Sequence, residues 1–185
     1  MRDNIDNKVD YEALFRNNIA KYLREKSQVD ELLPDAPDIE ALWASIGEAY
    51  LPDAIREFND YPKVVLGWIM YVGMAVAKFW DVDWERYSQI DNIYIYLRDK
   101  RDYDHLDDYI KEEILQLDKA GANLLQDIVS ECAARVYNQF LHLSLQSGTE
   151  PAFRAFVAAL HEMYRMGAAM QLRRMGYHMT RLRDM

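Results

Sequence analysis

Between Lys63 and Lys78 the chain reads VVLGWIMYVGMAVA, fourteen residues without a charge. A membrane span needs roughly 20 apolar residues, so a run of this length reads as a helix in the interior of a protein. The stretch is apolar nearly all round, which is the signature of a helix surrounded by other helices. Gly67, Gly73, Ala75 and Ala77 are small enough to let neighbouring backbones approach. Close helix packing is the reading preferred for them over a ligand slot. The helix is expected over about Lys63 to Trp80, opened by Pro62 after the turn Asn59-Asp60-Tyr61.

Upstream, Asp10 is a good N-cap for a first helix, with Tyr11, Leu14, Phe15, Ile19, Tyr22 and Leu23 on one face. Pro34-Asp35-Ala36-Pro37 reads as a connector. A second helix follows, capped by Asp38, with the stripe Ile39, Leu42, Trp43, Ile46 and Tyr50, and Pro52 kinking or ending it. Downstream, Asp81-Val82-Asp83 reads as a break. A fourth helix is expected through Trp84, Tyr87, Ile90, Tyr94 and Leu97. Ile93 to Tyr96 also fits a short strand, but no second strand is available to pair with it.

The segment from Asp104 to about Gln146 keeps its apolar phase through Leu106, Ile110, Ile114, Leu117, Gly121, Leu125, Ile128, Cys132, Val136, Phe140 and Leu143. One straight helix of this length would span roughly 60 Å, so a bend is expected near Ala120-Gly121-Ala122-Asn123. Gly148 can end this helix and Thr149 can cap the next. The last helix then carries Phe153, Val157, Leu160, Tyr164, Ala168, Leu172, Met175, Met179 and Leu182 at near-heptad spacing. The fold class expected is therefore all-α: a single-domain helical bundle of about five to six helices over residues 1–185, with a long C-terminal helix hairpin. Residues 1–9 and about 183–185 are expected to be its disordered ends.

The composition agrees with a globular chain. Half of the 185 residues are hydrophobic, with only seven glycines and five prolines. The one cysteine, Cys132, excludes an internal disulfide and suits a reducing compartment. No apolar leader follows Met1, so a cytoplasmic location is expected. A net charge of −9 argues against a nucleic-acid binder, and no membrane span is expected. The charge is uneven, because from Pro151 onward six arginines face only Glu162 and Asp184.

Motifs for chemistry are sparse. None of His105, His142, His161 and His178 has a glutamate three residues before it, as a di-iron bundle requires. The acidic stretch Asp99 to Asp108 fails the calcium-loop pattern, with Leu106 and Asp107 where a ligand and a glycine belong. No cofactor and no metal site is expected. A hairpin about Gly148 would bring Tyr137 and Asn138 opposite His161 and Glu162, with Arg135 and Arg165 nearby. That polar cluster is either an interhelical network or a site in which Glu162 tunes His161.

Three functions compete. The leading one is a non-catalytic protein-interaction domain that self-associates through its C-terminal helix, with Met170, Arg173, Arg174, Met175, Met179 and Leu182 as the interface. The second is an acidic inhibitor or immunity-type partner of a basic protein, using tyrosines and aspartates between Tyr87 and Tyr109. The third is a small-molecule-binding bundle or enzyme with a polar site near His161.

Overall fold

A computed structural model of the chain describes residues 9–178. They form an all-helical structure whose eight α-helices are α1 (Tyr11–Glu25), α2 (Pro37–Ala41), α3 (Trp43–Phe58), α4 (Pro62–Tyr87), α5 (Ile93–Arg101), α6 (Leu106–Tyr109), α7 (Lys119–His142) and α8 (Glu150–Arg174). The count exceeds the expected five to six because short elements replace longer ones. The expected second helix is split at Leu42 into α2 and α3. The segment after Asp104 opens with a 3-10 turn (Tyr103–His105), then α6, then a π-helical turn (Ile110–Ile114).

Most boundaries follow local chemistry. Asp10 accepts a hydrogen bond from the Ala13 N–H at 3.0 Å and caps α1. Pro62 is the first residue of α4, and the break foreseen at Asp81-Val82-Asp83 falls on Asp83, whose backbone is extended and whose carboxylate accepts from the Arg86 N–H. Thr149 caps α8 after Gly148, which sits in the left-handed region at φ 79°.

Other boundaries differ. Asp38 does not cap its helix. Ala36 is the cap residue, Pro37 opens the helix, and the Asp38 carboxylate accepts instead from the Trp80 indole at 3.3 Å. Pro52 neither ends nor divides α3, because it lies on the exposed face while Ile46, Tyr50 and Ala54 hold the opposite face in the core. The fourth helix expected through Trp84 to Leu97 is divided: its first residues complete α4, which ends at Tyr87, and Asn92 caps α5 through the Ile95 N–H at 3.1 Å, so Ile93 to Tyr96 is helical as expected. The interruption expected near Gly121 comes earlier. Leu115 to Asp118 leave the helix, Gln116 has φ 53°, and Asp118 caps α7 by accepting from the Gly121 N–H at 2.7 Å. Those residues occupy about one helical turn, so the apolar phase re-emerges in register and hides the break. The last helix ends at Arg174. Gly176 has φ 97°, its N–H donates to the Arg173 carbonyl, and the Tyr177 N–H donates to that of Leu172, a glycine-based C-terminal stop.

α4 is the central helix. By length and composition it could cross a membrane, but 72% of its most apolar window is buried inside the protein. Its main partner is α8; α7 packs on its flank, α1 lies against α8 and α7, and α3 and α5 cover its remaining sides. α7 and α8 are joined by the Gly148 turn, but each packs more extensively on α4 than on the other.

The α4–α8 crossing depends on two glycines. A Cβ on Gly73 would lie 2.1 Å from the Tyr164 carbonyl oxygen, and one on Gly167 would lie 2.1 Å from the Met70 carbonyl oxygen. The two backbones are thus in direct contact, which no larger residue permits. Met70, Met74, Met163 and Met166 fill the space around this crossing with no exposed surface. Two buried tyrosines end on backbone acceptors: the Tyr164 hydroxyl donates to the Ile39 carbonyl at 2.7 Å, and that of Tyr50 donates to the Val65 carbonyl.

Candidate functional site

The face of α8 turned away from that crossing carries a polar network. His161 is 8% exposed. Its Nδ1 lies 2.8 Å from Oε1 of Glu12 on α1, and its Nε2 lies 2.5 Å from Oε1 of Glu40 on α2. The Trp43 ring, at the start of α3, stacks on the imidazole with centroids 4.8 Å apart and planes within 5°. Both ring nitrogens thus lie within hydrogen-bond distance of a carboxylate oxygen. His161 therefore presents no free nitrogen to a ligand.

Arg165, one turn on, forks onto Glu40. Its Nε donates to Oε2 at 3.2 Å and an Nη to Oε1 at 3.1 Å, a bidentate geometry that fixes both side chains. Its other Nη donates to Oε1 of Glu162 at 3.1 Å. Glu162 has no exposed surface, and its Oε2 has no hydrogen-bond partner. Burial pushes its carboxyl up to about 7, against the opposing pull of the Arg165, Arg16 and His161 charges. Arg16 of α1 approaches Glu162 at 3.9 Å, too far for a hydrogen bond, and makes no other ion pair among the described residues. Three basic side chains thus meet three carboxyl groups, drawn from α1, α2 and α8.

An open cleft of 270 Å³ adjoins the network between α1, the Leu33–Ala36 connector, α2 and α8. Arg16, Asp35, Glu40 and Arg165 contribute polar groups to its wall, while Ile39, Ala168, Ala169 and Leu172 supply an apolar floor. That size is at the small end for ligand pockets.

Of the residues singled out from sequence, His161, Glu162 and Arg165 share this site. Arg135 and Tyr137 do not take part in its hydrogen bonds. Arg135 lies over the Tyr22 ring at 4.7 Å and pairs with Glu131 at 2.9 Å. Tyr137 packs edge-on against Phe58. The facing of α7 and α8 assumed from the hairpin is displaced here because α1 and α2 occupy that side of α8. The carboxylates that contact the imidazole are Glu12 and Glu40; Glu162, its neighbour in sequence, bonds to Arg165 instead.

The residues proposed as an interface divide. Met170 is fully buried and cannot meet another chain in this fold. Arg173 is held by Asp30 at 3.0 Å, Met175 is half-buried against the core, and Arg174 is exposed. Met179 and Leu182 lie outside the described residues. Cys132 is buried, and burial pushes its thiol up to about 12, which leaves it unreactive.

Glu12, Arg16, Glu40 and Trp43 went unnoticed in the sequence. Glu12 read as a first-turn acid and Trp43 as part of an apolar stripe. The contacts of His161 span 149 and 121 positions of chain, a distance at which spacing carries no signal. A second network, also unforeseen, surrounds buried Asp53, which accepts from the Tyr94 hydroxyl and pairs with Arg98 at 3.3 Å and Arg56 at 3.1 Å.

Comparison with protein-family models, with curated proteins and with solved structures gives no match to this chain.

Proposed function

We propose that the chain is a small-molecule-binding helical bundle, and that its ligand is a small organic carboxylate with an aliphatic body, held in the cleft between α1, α2 and α8. The observation that carries this reading is Arg16. Its guanidinium borders an open cleft with an apolar floor, yet among the described residues it makes only the 3.9 Å approach to Glu162. A guanidinium has five N–H donors in a fork that matches a carboxylate. Ile39, Ala168, Ala169 and Leu172 would then receive the ligand's hydrocarbon.

The network around His161 serves this site as a frame. Glu40 is gripped by His161 on one side and Arg165 on the other, so the cleft wall is set before a ligand arrives. A carboxylate entering beside Arg16 adds negative charge near Glu162, which favours the protonated form of that buried acid. Binding is then expected to take up a proton near neutrality.

Thermal unfolding with a series of straight-chain carboxylates tests the reading. A ligand that binds only the folded state raises the melting temperature as its concentration exceeds its dissociation constant. At about 100-fold excess over that constant the gain is about 2.7 kcal/mol. Arg16→Gln is expected to abolish it. No shift with any member of the series, or an equal shift in Arg16→Gln, rules this function out.

A further inference from the structure

Phe153, in the first turn of α8, is 52% exposed. It stands as a ridge between two open hollows. One, of 650 Å³, is lined by Ile55, Phe58, Phe140 and Phe156, and the other, of 530 Å³, by Val9, Tyr11, Val157 and Ala158. Phe153 lines both. Ile55 at 57% and Val9 at 47%, which line the two hollows, add exposed apolar surface. Exposed apolar patches of this kind mark interaction surfaces, and an aromatic projection beside a hollow wide enough to admit it is self-complementary.

We propose that this face is the interface of a twofold homodimer in which each Phe153 enters the 650 Å³ hollow of the other copy. The proposal is independent of the cleft and its ligand.

Charge favours a second copy over a foreign partner. Glu150 and Arg154 are one helical turn apart and flank Phe153, with Glu150 73% exposed and the pair 3.5 Å apart. In an antiparallel crossing of two α8 helices with its axis at Ala152, residues 150 and 154 exchange places. Glu150 then faces the partner's Arg154, and Arg154 faces the partner's Glu150. The patch therefore pairs with itself in sign as well as in shape, the condition for an isologous contact. The small Ala152 side chain at the axis lets the two helices come close. A basic partner would need acidic groups of one sign around the ridge, and Arg154 breaks that pattern. The surface retains the last helix as the site of self-association but moves it from that helix's end, where Met170 is core, to its first turns.

The test is light scattering or native mass spectrometry of the full chain from about 1 to about 100 µM. Wild type is expected to dimerise. Phe153→Glu changes a solvent-facing residue and is expected to weaken dimerisation by about tenfold or more, the range of an interface hot spot, while circular dichroism remains that of the folded chain. Glu150→Arg and Arg154→Glu are each expected to weaken it, because like charges then meet across the axis, and the double exchange is expected to restore it. A monomer at every concentration overturns the proposal. So does a dimer indifferent to Phe153→Glu, or one that the double exchange fails to recover relative to the single changes. A folded Phe153→Leu variant that dimerises as wild type separates loss of the contact from loss of the fold.

Discussion

The two faces of α8 are held by opposite means. Toward α4, Gly167 and Tyr164 meet Met70 and Gly73 so closely that backbone touches backbone. Toward α1 and α2, His161, Glu162 and Arg165 meet Glu12, Arg16 and Glu40 through charged hydrogen bonds. The first face is specified by what is missing, a Cβ on each helix. The second is specified by the partners that surround His161 and Glu162, two buried groups that would be costly to bury alone. A dry crossing tolerates no added volume, whereas a polar frame can respond to protons and ligands. One helix thus combines a rigid back with a responsive front.

The dry face should give the largest effect. Gly73→Ala and Gly167→Ala each place a methyl group 2.1 Å from a backbone oxygen, so the helices must separate. A loss of about 3 kcal/mol is expected for each in urea denaturation, since overpacking at backbone cannot be relieved by a rotamer change. A loss below about 1 kcal/mol would mean that the crossing is looser than its geometry and would remove the contrast between the faces.

On the polar face the effect should depend on pH. The Glu162 carboxyl stands at about 7 in the folded protein against an ordinary value of 4.5. The folded state therefore holds this proton more tightly than the unfolded chain. Stability from this group is full below the ordinary value and is lost as pH rises through about 7. Glu162→Gln removes that dependence. The stability of wild type relative to Glu162→Gln is expected to fall by up to about 3 kcal/mol between about pH 5 and about pH 8. Parallel melting curves for the two chains across that range would place Glu162 in a solvated setting and undo the account of this face.

Thr149→Ala sharpens the comparison from outside both faces. Its hydroxyl accepts from the Ala152 N–H at 3.4 Å and donates to the Gln146 carbonyl at 2.6 Å. A loss of about 1 kcal/mol, independent of pH, is expected from removing this cap. A larger loss would show that the start of α8 contributes as much as either packed face.

Much of the helix order was legible. The Val64–Ala77 run identified the central helix, and Asp10, Pro62 and Thr149 marked ends that the structure retains, whereas α7 stops at His142, short of Gly148. Where expectation and structure part, the reason is specific. A break of about one turn before Lys119 preserved the apolar phase, and Gly176 stopped a helix whose heptad spacing continued beyond it. Of the site, only the residues on α8 itself were legible. His161, Glu162 and Arg165 lie within two turns of one helix, so their shared neighbourhood follows from local spacing. Arg135 and Tyr137 were joined to them on the assumption that helices adjacent in sequence pack mainly on each other.

Local sequence pattern established that the chain is helical, where α1, α4 and α8 begin, and that one apolar helix is enclosed by the rest. These depend on periodicity, caps and turn residues, which act within a few positions of the chain. Only the tertiary structure decided which helices touch, that Gly73 and Gly167 face each other's backbones, and that Glu12, Arg16 and Glu40 converge on α8. Those contacts join residues more than ninety positions apart. They arise from which of several apolar stripes fits against which, a property of shape and volume that no short span of residues contains.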